Sequence, residues 1–133
     1  MESLVVSLHA SKRLVESGYN RITVFGWIER PLGSGNWSVQ KLPVEQGNTP
    51  IAMYYAPTAQ EIADELPKTI EYQNYTYYLE MKWPLGDSRC QYWSPAAGNR
   101  LWSIDNDNGA IGVGNNMAES LAHLWLKIEQ ETK

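Results

Sequence analysis

The sequence predicts an α+β fold: an antiparallel β-sheet with helices packed on one face, forming a single domain over residues 1–133. Three observations predict it. Residues 76–83 alternate apolar and polar side chains with period two and lie among other β-branched and aromatic runs. Two segments carry helix-start signals, and the C-terminal one has a full apolar stripe. The chain has 133 residues, 43% of them hydrophobic and 20% charged, which suits one globular domain with its own core.

The elements follow in order. Ser7 is placed to cap a short first helix, and Gly18 stands where a left-handed residue would end it. Leu8, Ser11, Leu14 and Val15 give that helix a modest inner stripe, and Glu16 is positioned to pair with Lys12. Residues 21–30 read as a strand apolar on both faces: Ile22, Val24, Gly26 and Ile28 on one, Thr23, Phe25, Trp27 and Glu29 on the other. A loop over 31–36 returns the chain as a second strand over 37–42, which makes a hairpin. A longer loop over 43–50 leads to a short strand at 51–55.

Thr58-Ala59-Gln60-Glu61 is a capping box, and Pro67 ends the helix it starts. Residues 69–72 and 76–83 read as strands joined around Gln73-Asn74-Tyr75, with 89–94 following a turn at 84–87. Residues 101–105 and 110–113 read as a further hairpin on the turn Asn108-Gly109. The last helix runs from 117 to 130. Met117, Leu121, Leu124, Trp125 and Ile128 form its core-facing stripe, and Asn116 with Glu119 repeats the cap spacing.

Several function classes are disfavoured by composition. The net charge of −4 speaks against duplex nucleic acid or an anionic membrane surface as the main partner. No apolar run approaches the roughly 20 residues of a membrane helix. Met1-Glu2-Ser3-Leu4 does not look like a signal peptide, and the single Cys90 excludes an internal disulfide, so a cytoplasmic location is expected. The aromatic usage is unusual: 6 Trp and 8 Tyr against 1 Phe. Trp and Tyr carry a polar handle, which suits half-buried positions, interfaces and stacking walls.

Three segments, 7–19 (SLHASKRLVESGY), 56–67 (APTAQEIADELP) and 119–128 (ESLAHLWLKI), occur in an order that resembles small bacteriophage- and prophage-encoded accessory proteins. The resemblance implies a phage-type accessory role inside a host cell. It implies no activity and carries over no catalytic residue.

Chemistry-bearing motifs are few. His9 and His123 lie on different helices, Cys90 reads as a small buried residue, and no Cys/His spacing suits zinc. Asp105-Asn106-Asp107-Asn108-Gly109 invites a calcium reading, but Ala110 and Asn116 stand where an EF-hand loop needs Gly and an acid, and a turn explains the same residues. Gly109 to Gly114 has phosphate-loop spacing with Asn115-Asn116 in place of Lys-Ser/Thr. No catalytic set, metal site or cofactor is expected.

The remaining candidate is cationic and aromatic. Arg89, Tyr92, Trp93, Arg100 and Trp102 fall in one span, which suits a phosphorylated, nucleotide-like ligand: Arg forks a phosphate and Trp or Tyr stacks a base. Phe25, Trp27 and Trp37 on the first hairpin are expected to form a homo-oligomer or partner interface. Two readings follow. One is a non-enzymatic anti-defence protein that sequesters a nucleotide-like signal. The other is a protein–protein adaptor or inhibitor of a host protein, working through the aromatic surface.

Overall fold

The computed structural model describes residues 4–44, 50–82, 87–102 and 109–131. Helix α1 (Leu8–Glu16) starts at Ser7, whose hydroxyl accepts the Ala10 amide at 3.1 Å, and Gly18 follows its end at φ 98°. Its buried face is Ala10, Ser11 and Leu14. Lys12 does not join Glu16. Its Nζ lies 5.4 Å from the Trp37 ring and 5.6 Å from the Tyr54 ring, a cation–π contact with the first sheet.

That sheet has three strands, β1 (Phe25–Glu29), β2 (Trp37–Lys41) and β3 (Ala52–Tyr55), in the order β2-β1-β3 and antiparallel throughout. The apolar content of both β1 faces matches its central place. The β1–β2 loop is organised by Glu29: its two carboxylate oxygens accept the Gly33 amide at 2.8 Å and the Gly35 amide at 2.9 Å. Both glycines are at positive φ, which a side chain would strain.

Helix α2 (Ala59–Glu65) begins with the predicted capping box. Glu61 does more than cap. Its Oε1 accepts the Thr58 amide at 2.9 Å while Oε2 accepts the Val24 amide at 3.0 Å, tying the helix to the entry of β1. Arg21 closes the other end of the helix by an ion pair with Glu65 at 2.9 Å.

The second sheet contains β4 (Thr69–Tyr72), β5 (Tyr75–Lys82), β6 (Ser88–Ser94), β7 (Asn99–Arg100) and β8 (Ile111–Gly114). Its path is β4-β5-β6-β7, and β8 also pairs with β6. The strands therefore divide into two antiparallel sheets where the sequence suggested one. Of the predicted 101–105/110–113 hairpin, residues 103–105 lie outside the described residues, and the described part is corrected. β8 pairs with Ser88 to Gln91 of β6, β7 pairs with Trp93 and Ser94, and Leu101 and Trp102 form a turn. Leu101 is held by backbone bonds, donating to Tyr92 and accepting from Ala110. The Asp105-to-Asn108 carboxylate run, and with it Asn108 of the turn expected at Asn108-Gly109, lies outside the described residues, while Gly109 is at φ 60°.

Helix α3 (Met117–Glu131) covers this sheet with the predicted stripe: Leu121 and Leu124 are fully buried, and Trp125 and Ile128 nearly so. Trp125 meets the Tyr19 ring edge-on, with centroids 5.3 Å apart. Gly112 and Gly114 present bare backbone to the helix. A Cβ on Gly112 would lie 2.7 Å from the Leu124 nitrogen, and one on Gly114 would lie 2.9 Å from the Ser120 nitrogen. The glycine spacing that resembled a phosphate loop is thus a close helix–sheet contact. Ser120 completes it, donating from its hydroxyl to the Ser88 carbonyl at 2.6 Å.

The main core joins α1, α2, α3 and the five-stranded sheet. A smaller cluster of Val5, Val39 and Ala56, with Phe25 and Trp27, lies on the three-stranded sheet. Among the described residues the result is one α+β domain with three helices packed on antiparallel sheets. Among the described residues no helix is long and apolar enough to cross a membrane.

Candidate functional site

Successive side chains of a strand point to opposite sides, so β6 sorts its residues by parity. Ser88, Cys90, Tyr92 and Ser94 face α3 and are buried. Arg89, Gln91 and Trp93 face away. Register then assembles a second surface around them. Trp93 stands beside Tyr78 of β5 and Arg100 of β7, Gln91 beside Glu80 and Ile111, and Arg89 beside Lys82 and Val113. This is the helix-free face of the five-stranded sheet. Tyr78 is 51% exposed on it, and Arg89 is exposed as well.

A row of polar contacts crosses three strands on this face. Arg100 Nε donates to Gln91 Oε1 at 2.9 Å. Gln91 Nε2 donates to Glu80 Oε1 at 2.9 Å, and Lys82 Nζ reaches the same oxygen at 3.0 Å. The hydrogen bonds from Lys82 and Gln91 hold the Glu80 carboxyl below the usual carboxylate range. Gln91 is almost fully buried beneath its neighbours although it faces away from the core. The row fixes the rotamers of Arg100, Gln91 and Glu80, so the surface is pre-ordered.

Of the expected ligand set, Arg89, Trp93 and Arg100 come to this face. Tyr92 does not. It is fully buried on the opposite side, where its hydroxyl donates to the Pro67 carbonyl at 2.6 Å and burial raises its pKa. Trp102, at φ 62°, packs against the main core. The expected interface trio is also used within the chain. Phe25 and Trp27 pack on the small cluster, and Trp27 Nε1 donates to the Val6 carbonyl at 2.9 Å. Trp37 packs against Tyr54 with centroids 5.8 Å apart. Sequence reasoning missed Gln91, Tyr78 and Glu80. The alternation of β5 already put the last two on one face, but only the register with β6 places them beside Trp93.

Catalytic chemistry finds little support. Burial pushes the Cys90 thiol up to about 12, which leaves it protonated and unreactive near neutrality. His123 Nδ1 lies 2.6 Å from the Val113 carbonyl and so carries the proton, with Nε2 3.8 Å from Glu119 Oε2. Glu119 itself accepts the Ser7 amide and links α3 to the start of α1. Among the described residues no group of three or more His, Cys, Asp or Glu could hold a metal ion.

No family model matches the chain, and neither do any curated protein or solved structure. The picture of an oligomeric, nucleotide-binding phage anti-defence protein is accordingly withdrawn. The residues that suggested it do not converge: Arg89, Trp93 and Arg100 are separated from Tyr92 by the thickness of the sheet. The ring pairs found among the described residues, Tyr19–Trp125 and Trp37–Tyr54, include none of the expected ligand residues, and Trp37 of the expected interface is paired within the chain. Among the described residues no metal-holding group accompanies them either.

Proposed function

We propose that the chain is a non-catalytic adaptor that binds a partner protein through the open face of the five-stranded sheet. The observation that carries this reading is the juxtaposition of Tyr78, Trp93 and Arg89 on a face whose polar residues are already fixed by the Arg100–Gln91–Glu80–Lys82 row. Trp, Tyr and Arg are the residue types that carry most of the energy of protein contacts, and rigid ones lose less entropy on binding. Glu80 is neutralised by Lys82, and Arg89 has no ion pair among the described residues. The complementary surface therefore offers a carboxylate to Arg89 and apolar side chains to Tyr78 and Trp93.

The test compares proteins purified from native cells. Wild type and a Glu16→Gln control should retain one stoichiometric partner that Tyr78→Ala/Arg89→Glu loses, with unchanged circular dichroism in all three. A partner kept by every variant, or no stoichiometric partner at all, would overturn the reading.

A further inference from the structure

The hydrogen-bond parity of the three-stranded sheet identifies an edge that is open along β3 as far as Tyr55; beyond it Val6 donates to the Pro57 carbonyl and Val5 bridges Thr58. Leu42 donates to the Val24 carbonyl, so residues 24, 26 and 28 of the central strand bond toward β2. Ala56 donates to the Phe25 carbonyl, so residues 25, 27 and 29 bond toward β3. On β3 the partners of those residues are Ala52, Tyr54 and Ala56. The amides and carbonyls of Met53 and Tyr55 then point away from β1, and no backbone hydrogen bond to them is found among the described residues.

The side chains of these two residues line a groove of about 350 Å³. Ile22, Leu42 and Ile51 form its other apolar walls, and no charged residue lines it among the described residues. Ile22 is 81% exposed and Met53 40%, so the groove has a broad uncovered apolar rim. An unpaired strand edge beside an apolar groove recognises extended chain: the edge supplies main-chain hydrogen bonds, and the groove takes every second side chain.

We infer that the β3 edge is a docking site for an extended, uncharged segment of a partner protein with apolar residues at alternate positions. The segment adds as a fourth strand beside β3 and places its apolar side chains against Ile22, Met53 and Tyr55. The described lining is apolar and uncharged, which selects against acidic or basic segments, since burying an unpaired charge there is costly. This edge is distinct from the face carrying Trp93, and its test does not depend on that reading.

The experiment is amide exchange and methyl chemical shift on the whole chain by NMR. The probes are three end-capped heptapeptides that alternate threonine with valine, isoleucine or tyrosine. In the dilute free protein the Met53 and Tyr55 amides should exchange fast while Ala52 and Tyr54 are protected. A peptide at millimolar concentration should slow Met53 and Tyr55 by about tenfold or more and shift the Ile22 methyls. Met53→Pro removes an outward amide that β1 does not use, as edge strands allow, and should abolish that protection. Ile22→Ser alters only an exposed wall, should keep the melting temperature, and should weaken binding by about tenfold. Protection of both amides in the dilute free chain would mean the edge is already covered and would overturn the proposal. Protection that rises with protein concentration alone would assign the edge to a second copy, and silence with all three peptides would equally refute it.

Discussion

The backbone of Gly112 on β8 rests directly against the Ser120 carbonyl of α3, with no room for a single added carbon between them. Both sides of that contact are main chain, so neither can rotate away. Gly112→Ala must therefore lift the helix from the sheet or twist β8 out of its pairing with Cys90. Overpacking costs typically about 1–3 kcal/mol, and a backbone-to-backbone clash belongs at the upper end or above. Val113→Ala, one residue on and facing outward, is the control and should cost under about 1 kcal/mol. Urea unfolding of the two variants checks the contrast.

Trp125 tests the helix stripe read from the sequence. Its ring is nearly buried and meets Tyr19 edge-on. Trp125→Ala removes that contact and leaves a large cavity, for an expected loss of about 3–5 kcal/mol. Tyr19→Phe should be close to neutral or stabilising, because the Tyr19 hydroxyl is buried with no hydrogen-bond partner among the described residues. A near-unchanged melting temperature for Trp125→Ala would contradict the placement of α3.

The two outcomes differ in how much the sequence could reveal. The stripe of α3 was legible because helical periodicity is local, and so was the capping box at Thr58. The role of Gly112 and Gly114 was not, because nothing near them in sequence says that a helix will lie on their backbone. The candidate face was half legible. Strand parity alone requires Tyr92 and Trp93 to face opposite ways, so grouping them as one ligand set ignored a local rule. The neighbours Tyr78 and Glu80 depend on the β5–β6 register, which is set by non-local pairing. The division into two sheets was hidden for the same reason.

Glu80 should give the open face a pH signature. Its folded-state pKa is lowered, first by the Lys82 hydrogen bond and then by Gln91. A depressed carboxylate contributes stability that is present above its unfolded value and lost as pH falls through the folded one. The loss should therefore begin below about pH 4.5, the ordinary value, and grow with further acid. The group is partly exposed, so the effect is small and weakens with salt. Glu80→Gln should flatten that part of the acid limb in pH-dependent unfolding. An unchanged acid limb would show that the polar row contributes nothing to stability.

Cys90 makes the last prediction. The thiol sits under α3, with Sγ 3.9 Å from the Gly112 carbonyl, and desolvation is the main cause of its raised pKa of about 12. A thiolate is the reactive form, so the folded protein should resist a thiol-specific disulfide reagent at pH 8 and react stoichiometrically once unfolded in urea. The same shift bears on alkaline stability. In the unfolded chain Cys90 ionises near its ordinary value of 9.0, while in the folded chain it stays protonated until about 12. Protons leave the unfolded state first, so this contribution is intact below about pH 9 and is lost as pH rises from there toward 12. Tyr19, also raised to about 12 by burial, adds to the upper part of that window. Cys90→Ala should remove the thiol's share of the alkaline slope while leaving the neutral-pH fold in place. Rapid labelling of the native protein at pH 8 would instead place the thiol at the surface and contradict the packing of α3 on β6.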